Sequence, residues 1–491
     1  MTLGIIGLYL AGVLVVGTLS HRLFRGTGED YFVATRTIGP FVLLMSLFGT
    51  NMTAFSILGA SGEAYRRGIG VFALMASSSA IVIPVVFFFV GIRMWAAGKR
   101  HGFLTQAQLF RARWGSDAVG LLLFAVLILL IVPYLLIGVK GGGLTLTNIT
   151  GGAVPPWVGG LLISAVVVTY VTYGGLRGTA WANTFQTLVF MTLGAVTVVY
   201  VVRRLGGLDA ALDAVQAGHP QLLIEGGGIR PLELLSYTLI PLSAGMFPHL
   251  FQHWLSARRP EAFRLSMVAY PLCMLVVWLP SVLLGVLGRI DFPDLSGPAA
   301  GGVLIRLIHH HAPDLLAGLL GAGVFAAVMS SLDSQVLSVG TMFTQDVVRH
   351  YGFHDRMSER AQILSGRLFV IAVVALTYLL SLHLDATIFG LAVWSFSGFA
   401  ALLPLAVAAL YWRRSNATGA VAAIAVTAVT WIAFFLHGHG VPGYTVGGSG
   451  ILPVVVMVAA SSLALIAGSL LGRPTEPERV ERFFGDGAEP S

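Results

Sequence analysis

Apolar runs of about twenty residues recur along almost the whole 491-residue chain, each long enough to cross a hydrocarbon layer of about 30 Å. A segment inside that layer has no water to satisfy its backbone, and a helix meets the need internally. Charged residues make up 10% of the chain, against about 25% in soluble proteins. The sequence therefore reads as an all-α polytopic membrane protein. Thirteen spans are expected, near residues 3–20, 38–61, 70–96, 117–139, 157–175, 180–202, 233–255, 266–288, 314–346, 367–384, 386–411, 417–436 and 451–471. The ninth is too long for one perpendicular crossing, so part of it should project or break. Residues 1–472 form a single transmembrane domain on this reading, and 473–491, rich in Pro, Glu and Gly, a short disordered tail.

Charge sets the orientation. With the N-terminus outside, 21 of the 29 Lys and Arg residues fall on cytoplasmic segments, and thirteen spans put the C-terminus in the cytosol. That bias accounts for the net charge of +7 without any nucleic-acid partner. The bilayer expected is the plasma (cell inner) membrane. Cys273 is the single cysteine, so no intrachain disulfide forms. The first apolar run has no basic leader or clear cleavage site and reads as a retained span. Of the outside loops, 289–313 has room for a short interfacial helix around Val303–His311. His309, His310 and His311 are consecutive and cannot share one helical face, so a solvated loop is expected rather than a metal site.

One span is polar along a stripe. Ala327, Ser330, Ser331, Ser334, Ser338 and Thr341 recur at three- and four-residue steps, and Asp333 lies beside them. A carboxylate at mid-membrane costs about 2.5–3.5 kcal/mol even on lenient insertion scales, which marks an ion or proton site. Two other spans look interrupted. Gly49-Thr-Asn-Met-Thr53 sits within the second, and Ser243-Ala-Gly-Met-Phe-Pro248-His249 within the seventh. Pro248 removes an intrahelical hydrogen bond, and free backbone at that depth is tolerated beside a polar cavity or within protein. Two broken helices five spans apart are the trace of an inverted repeat, with the binding site where the breaks meet.

Four segments together resemble the sodium:solute symporter family, which includes sodium/glucose, sodium/proline and sodium/sialic acid carriers. They are Asp30-Tyr-Phe-Val-Ala-Thr-Arg36 with Gly39 and the Asn51-Met-Thr region; Tyr173-Gly-Gly-Leu-Arg177 with Trp181, Asn183 and Gln186; Pro248-His249 with Gln252; and Met329-Ser-Ser-Leu332 through Thr344-Gln-Asp346. The resemblance implies a LeuT-type 5+5 inverted-repeat core, with repeats at about 38–202 and 233–411 and peripheral helices at 3–20, 417–436 and 451–471. It also implies a sodium site at the backbone carbonyls of Gly49, Met52 and Ala327 and the hydroxyls of Ser330 and Ser331. Oxygen ligands of this kind suit a hard cation.

The chain departs from the family at two positions. Many members carry an aspartate where this chain has Asn183, and a small hydroxyl residue where it has Asp333. Asn183, Asp333 and Ser334, with Ser330, are expected to form a cluster of one negative charge, which could bind a second sodium or a proton. The alternative is that Asp333 pairs with Arg177 and locks the inward end. By position, Phe55, Ser56, Phe247, His249 and Trp394 are the substrate-lining candidates. Phe55 and Phe247 disfavour a sugar, whose hydroxyls each need a partner. Helix N-termini at the breaks suit a small carboxylate, so a monocarboxylate or an amino acid such as proline is expected.

The function expected is sodium-coupled import of a small organic solute by alternating access, with Na+ as coupling ion and a monomer as the working unit. A proton-coupled symporter of the same fold is the nearest alternative. A transporter-like sensor lacks an appended soluble domain, and no spacing of His, Asp and Ser suggests an enzyme.

Overall fold

The computed structural model describes residues 2–20, 37–224, 228–352 and 357–484. Among these, helices make up the architecture, and no strand forms beyond one isolated β-bridge. In chain order they are α1 (Thr2–Ser20), α2 (Pro40–Asn51), α3 (Phe55–Arg67), α4 (Gly70–His101), α5 (Gln106–Trp114) and α6 (Asp117–Ile149). Next come α7 (Pro156–Arg204), α8 (Leu208–Gly218), α9 (Pro231–Gly245), α10 (Pro248–Ser256), α11 (Ala262–Asp291) and α12 (Val303–His311). The last are α13 (Asp314–Arg349), α14 (Glu359–His383), α15 (Ile388–Tyr411), α16 (Ala417–Gly438), α17 (Pro453–Leu471) and α18 (Pro477–Phe484). Proline opens α2, α7, α9, α10 and α17, where its missing N–H has no intrahelical partner to lose.

Nine described helical segments are long and apolar enough to cross a membrane, and the bent pairs α2/α3 and α9/α10 bring the total to eleven. Gly4–Val15 and Pro156–Thr169 are shorter apolar segments at the positions of the first and fifth expected spans. The two breaks fall where the sequence places them. α2 and α3 meet at 59°, and α9 and α10 at 51°. At the first, Met52 leaves the helix with φ −87° and ψ 87°, and the Thr53 hydroxyl accepts from the Phe55 N–H at 3.0 Å. At the second, Pro248 holds Phe247 extended, with ψ 120°, so α9 cannot run on.

Two expectations need correction. No loop separates the spans at 157–175 and 180–202: their apolar segments Pro156–Thr169 and Thr179–Arg204 lie within one continuous helix of 49 residues, about 74 Å long at 1.5 Å per residue. Past its first position α7 holds no proline, and its glycines weaken a helix by only about 1 kcal/mol each. The ninth span does not break: α13 runs for 36 residues, about 54 Å at 1.5 Å per residue and longer than one perpendicular crossing as expected, and widens over Phe343–Arg349. The tail is ordered over α18, where Phe483 and Phe484 sit three and four residues from Val480 on one face.

α18 packs on a capped helix end. Buried Arg113 donates to the carbonyls of Ala409, Trp412 and Arg413 at 3.1, 3.1 and 3.3 Å, satisfying acceptors left open at the end of α15. Its guanidinium lies 4.8 Å from the Phe484 ring. Burial pulls the guanidinium down to about 10, still charged near neutrality.

Two straps tie the broken helices to each other. Just before α2, the Ile38 N–H donates to the Ser256 carbonyl and the Ile38 carbonyl accepts from Arg258 N–H, both at 3.0 Å, in a parallel bridge just beyond α10. At the other ends, Arg67 of α3 grips Glu233 of α9 through two bonds of 2.7 and 2.8 Å. Close helix approach sets α3 in place: a Cβ on Gly285 of α11 would lie 2.2 Å from the Ser61 carbonyl oxygen. Gly285→Ala is therefore expected to destabilise the protein by about 1–3 kcal/mol, the usual effect of overpacking. Thermal unfolding in detergent measures it, and an unchanged midpoint contradicts the close approach.

Candidate functional site

The first break and the hydroxyl stripe of α13 face each other. Ser330 Oγ lies 2.8 Å from the Gly49 carbonyl oxygen and 3.1 Å from that of Ala327. Ser331 Oγ donates to the Val328 carbonyl at 3.0 Å, and Met52 is buried within the break. Gly49, Ala327 and Ser330 are thus brought together as three clustered oxygens, with Ser331 adjacent in α13. Oxygens around a hard cation at 2.3–2.6 Å stand about 3.3–3.7 Å apart, so the cluster needs to open by about half an ångström to hold one. α2 can sit this close to α7 because residue 49 is glycine: a Cβ there would lie 2.0 Å from Thr187 Oγ1.

Beside it lies the anionic cluster. With its amide nitrogen toward the carboxylate, Asn183 donates to the two Asp333 oxygens at 3.0 and 3.1 Å and to the Ser330 carbonyl at 3.0 Å. Its oxygen then accepts from the Ser334 hydroxyl at 2.8 Å. The opposite amide orientation turns oxygen toward carboxylate, which chemistry disfavours. All four residues are buried, and His253 Nε2 of α10 lies 3.1 Å from Ser334 Oγ. Asn183, Asp333, Ser330 and Ser334 therefore meet as the sequence predicts. The Arg177 side chain and the Asp30–Arg36 motif lie outside the described residues, so the alternative pairing of Asp333 with Arg177 does too.

The second break opens on an aromatic box. Tyr134 of α6 has ring distances of 5.1 Å to Phe247, 5.4 Å to His249 and 4.9 Å to Phe396. Phe55 of α3 reaches the same Phe396 at 5.5 Å. A cavity of about 30 Å³ adjoins the box, lined by Asn51, Met52, Phe55, Ser56, Phe247 and Phe396 among others. Three buried atoms beside the box and its cavity have no hydrogen-bond partner: both ring nitrogens of His249, and Ser56 Oγ. Buried polar atoms are nearly always paired, so a cluster of unpaired ones fits a polar ligand.

Trp394 does not join this box. Near the start of α15, its ring packs 5.7 Å from Phe435 and 5.8 Å from Tyr444. It lines instead a second cavity, of about 250 Å³, with Glu63, Arg66, Arg67, Glu233 and Phe389. The seventh residue of α15, it stands nearer the helix start than Phe396, which does reach the box. Tyr237 lines both cavities, and its ring stacks 6.3 Å from that of Phe389, which lies 5.4 Å from Phe55. This aromatic layer divides the outer cavity from the inner one.

Sequence reasoning missed Tyr134, Gln335, His253 and Thr187. Gln335 carried a signal, being an amide two residues beyond Asp333 in the same apolar helix. Tyr134 and Thr187 carried none, because tyrosine and threonine are unremarkable in a membrane span until their neighbours are known.

Comparison with known proteins bears on the fold and the family. The chain is 27% identical to the sodium/pantothenate symporter of Escherichia coli over 477 residues, covering 94% of this chain and 95% of that protein. It is 25% identical to the osmoregulated proline transporter OpuE of Bacillus subtilis, covering 98% and 96%. Among solved structures, a Na+-coupled sialic acid symporter in a substrate-bound outward-open state superposes with a TM-score of 0.79 at 17% identity, covering 97% of this chain and 98% of that one. Mhp1, a nucleobase-cation-symport-1 family transporter, superposes at 0.60 and 15% identity, covering 93% and 98%. The fold is thus the LeuT-type core that the family resemblance implies. The sodium:solute symporter family profile matches residues 31–426, and the chain belongs to that family.

Proposed function

We propose that this protein is a symporter that uses Na+ to import a small organic solute carrying a carboxylate. The observation carrying the reading is the 2.8 Å approach of Ser330 Oγ to a carbonyl at the end of a broken helix. Gly49, Met52, Ala327, Ser330 and Ser331 supply the five oxygens of the Na+ site. The solute occupies the box of Tyr134, Phe247, His249 and Gln335, with Phe55 and Ser56 along its wall. Relatives named for proline and for pantothenate, both carboxylates, support that class. The inner cavity of about 30 Å³ is too small for such a solute, so the conformation described is a closed one that must expand to load.

The N-terminus lies outside and the C-terminus in the cytosol, in the cell inner membrane, as the Lys/Arg bias requires. The protein works as a monomer and catalyses no chemistry. Each charge moving inward at 100 mV contributes about 2.3 kcal/mol, or roughly 40–50-fold accumulation. Buried Asp333 supports a second cation in the same cycle, either Na+ or a proton.

Uptake into proteoliposomes, with radiolabelled carboxylates, amino acids and sugars, tests the reading. At least one carboxylate is expected to accumulate when Na+ is present outside, and neither K+ nor a pH gradient alone should replace it. Accumulation driven by a pH gradient without Na+ overturns sodium coupling.

A further inference from the structure

The connection between α11 and α12 brings together three side chains that the transport site does not use. Asp291 ends α11, and His310 and His311 end α12. His311 Nε2 lies 2.7 Å from Asp291 Oδ2, with the two side chains 12% and 17% exposed. The His310 ring lies 4.9 Å from that of His311, and the ligand-capable atoms of all three residues fall within 4.8 Å of one another. Among the described residues, no other group of three or more His, Cys, Asp and Glu is gathered so closely. His309 faces elsewhere, its Nε2 3.4 Å from where a Cβ on Gly151 would stand. Consecutive histidines need not share a helical face when a carboxylate from another helix meets two of them at the last turn.

Two imidazoles and one carboxylate are the donor set of a zinc-class site, with a fourth position left for water. Mg2+ and Ca2+ prefer oxygen alone. Donors at 2.0–2.1 Å in a tetrahedron are about 3.4 Å apart, so the widest pair must close by about 1.4 Å. His310 is exposed and free to swing.

The site adjoins α3, the second half of the first broken helix. The Tyr65 hydroxyl of α3 donates to the Phe292 carbonyl at 2.6 Å and accepts from Leu295 N–H at 2.9 Å. Arg289 donates to the Tyr65 carbonyl at 3.1 Å and lies 4.1 Å from its ring. Tyr65 is thus held by residues on either side of Asp291. We propose that Asp291, His310 and His311 bind one zinc-class divalent cation, and that its binding fixes α3 against the α11–α12 loop and slows the transport cycle.

The test begins with binding alone. Purified full-length protein is titrated with ZnCl2 against a chromophoric chelator, then again with MgCl2 present. One Zn2+ per chain is expected, unaffected by Mg2+, and at least tenfold weaker in both Asp291→Asn and His310→Ala. Binding unchanged in the double variant overturns the site. The second arm rests on the transport reading: solute uptake into proteoliposomes is measured with and without ZnCl2. Zn2+ should inhibit at the midpoint found by titration, and EDTA should reverse it. His310→Ala should transport normally and resist inhibition. Site-dependent binding without inhibition overturns the coupling to α3. If no solute is transported at all, the symporter assignment fails while the titration still decides the metal site.

Discussion

The double change Ser330→Ala with Ser331→Ala is expected to weaken Na+ activation of uptake by at least about 100-fold while leaving the protein folded. Both hydroxyls bond carbonyls of their own helix, and Ser330 alone bridges to Gly49. Removing them deprives α13 of little, because alanine is a better helix former than serine. A bound cation loses more. An oxygen facing a charge contributes about 1.5–3 kcal/mol, or roughly 10–150-fold in affinity for each hydroxyl removed. Na+ concentration dependence of initial uptake, set beside thermal stability in detergent, separates the two effects. Unchanged Na+ activation in a folded double variant would remove the proposed site.

Asp333→Asn should cost the transporter one coupled charge. The carboxylate is fully buried, and the Asn183 amide donates to both of its oxygens. Asparagine matches its shape but brings no charge, so the cluster can no longer hold a cation beside the Gly49–Ser330 site. At 100 mV the steady-state accumulation ratio is then expected to fall by about 40–50-fold, with Na+ activation at the first site shifted only slightly. Reversal potentials measured at several external pH values identify the missing ion. A proton role predicts that the pH dependence disappears in the variant, and a second Na+ predicts a lower Na+ stoichiometry. If both stay as in the parent protein, Asp333 is structural.

Much of this arrangement was legible in the sequence because membranes punish exceptions. Hydrocarbon leaves Pro248, Asp333 and the Gly49–Thr53 run with few neutral explanations, and each fell where the spans break or where polar groups converge. Where the punishment is weak, the sequence was silent. Trp394 looked like a pocket residue because aromatic side chains suit both lipid and ligand; only the level of α15 assigns it to the outer cavity. The spans at 157–175 and 180–202 looked separate, yet no proline stands between them, and glycine permits a break without requiring one. His310 and His311 looked like solvent-facing neighbours because their third partner, Asp291, is nineteen and twenty positions away in the chain and reaches them through a turn that no local pattern encodes.

The straps on the broken helices differ in kind. Ile38 and its partners are joined through peptide groups, which every side chain shares and electrolyte does not screen. Arg67 and Glu233 are joined through charge, 18% and 11% exposed, where the screening length falls from about 30 Å to about 3 Å between 0.01 and 1 M salt. One end of the paired breaks is therefore mechanically indifferent to the medium bathing it, while the other feels that medium's ionic strength.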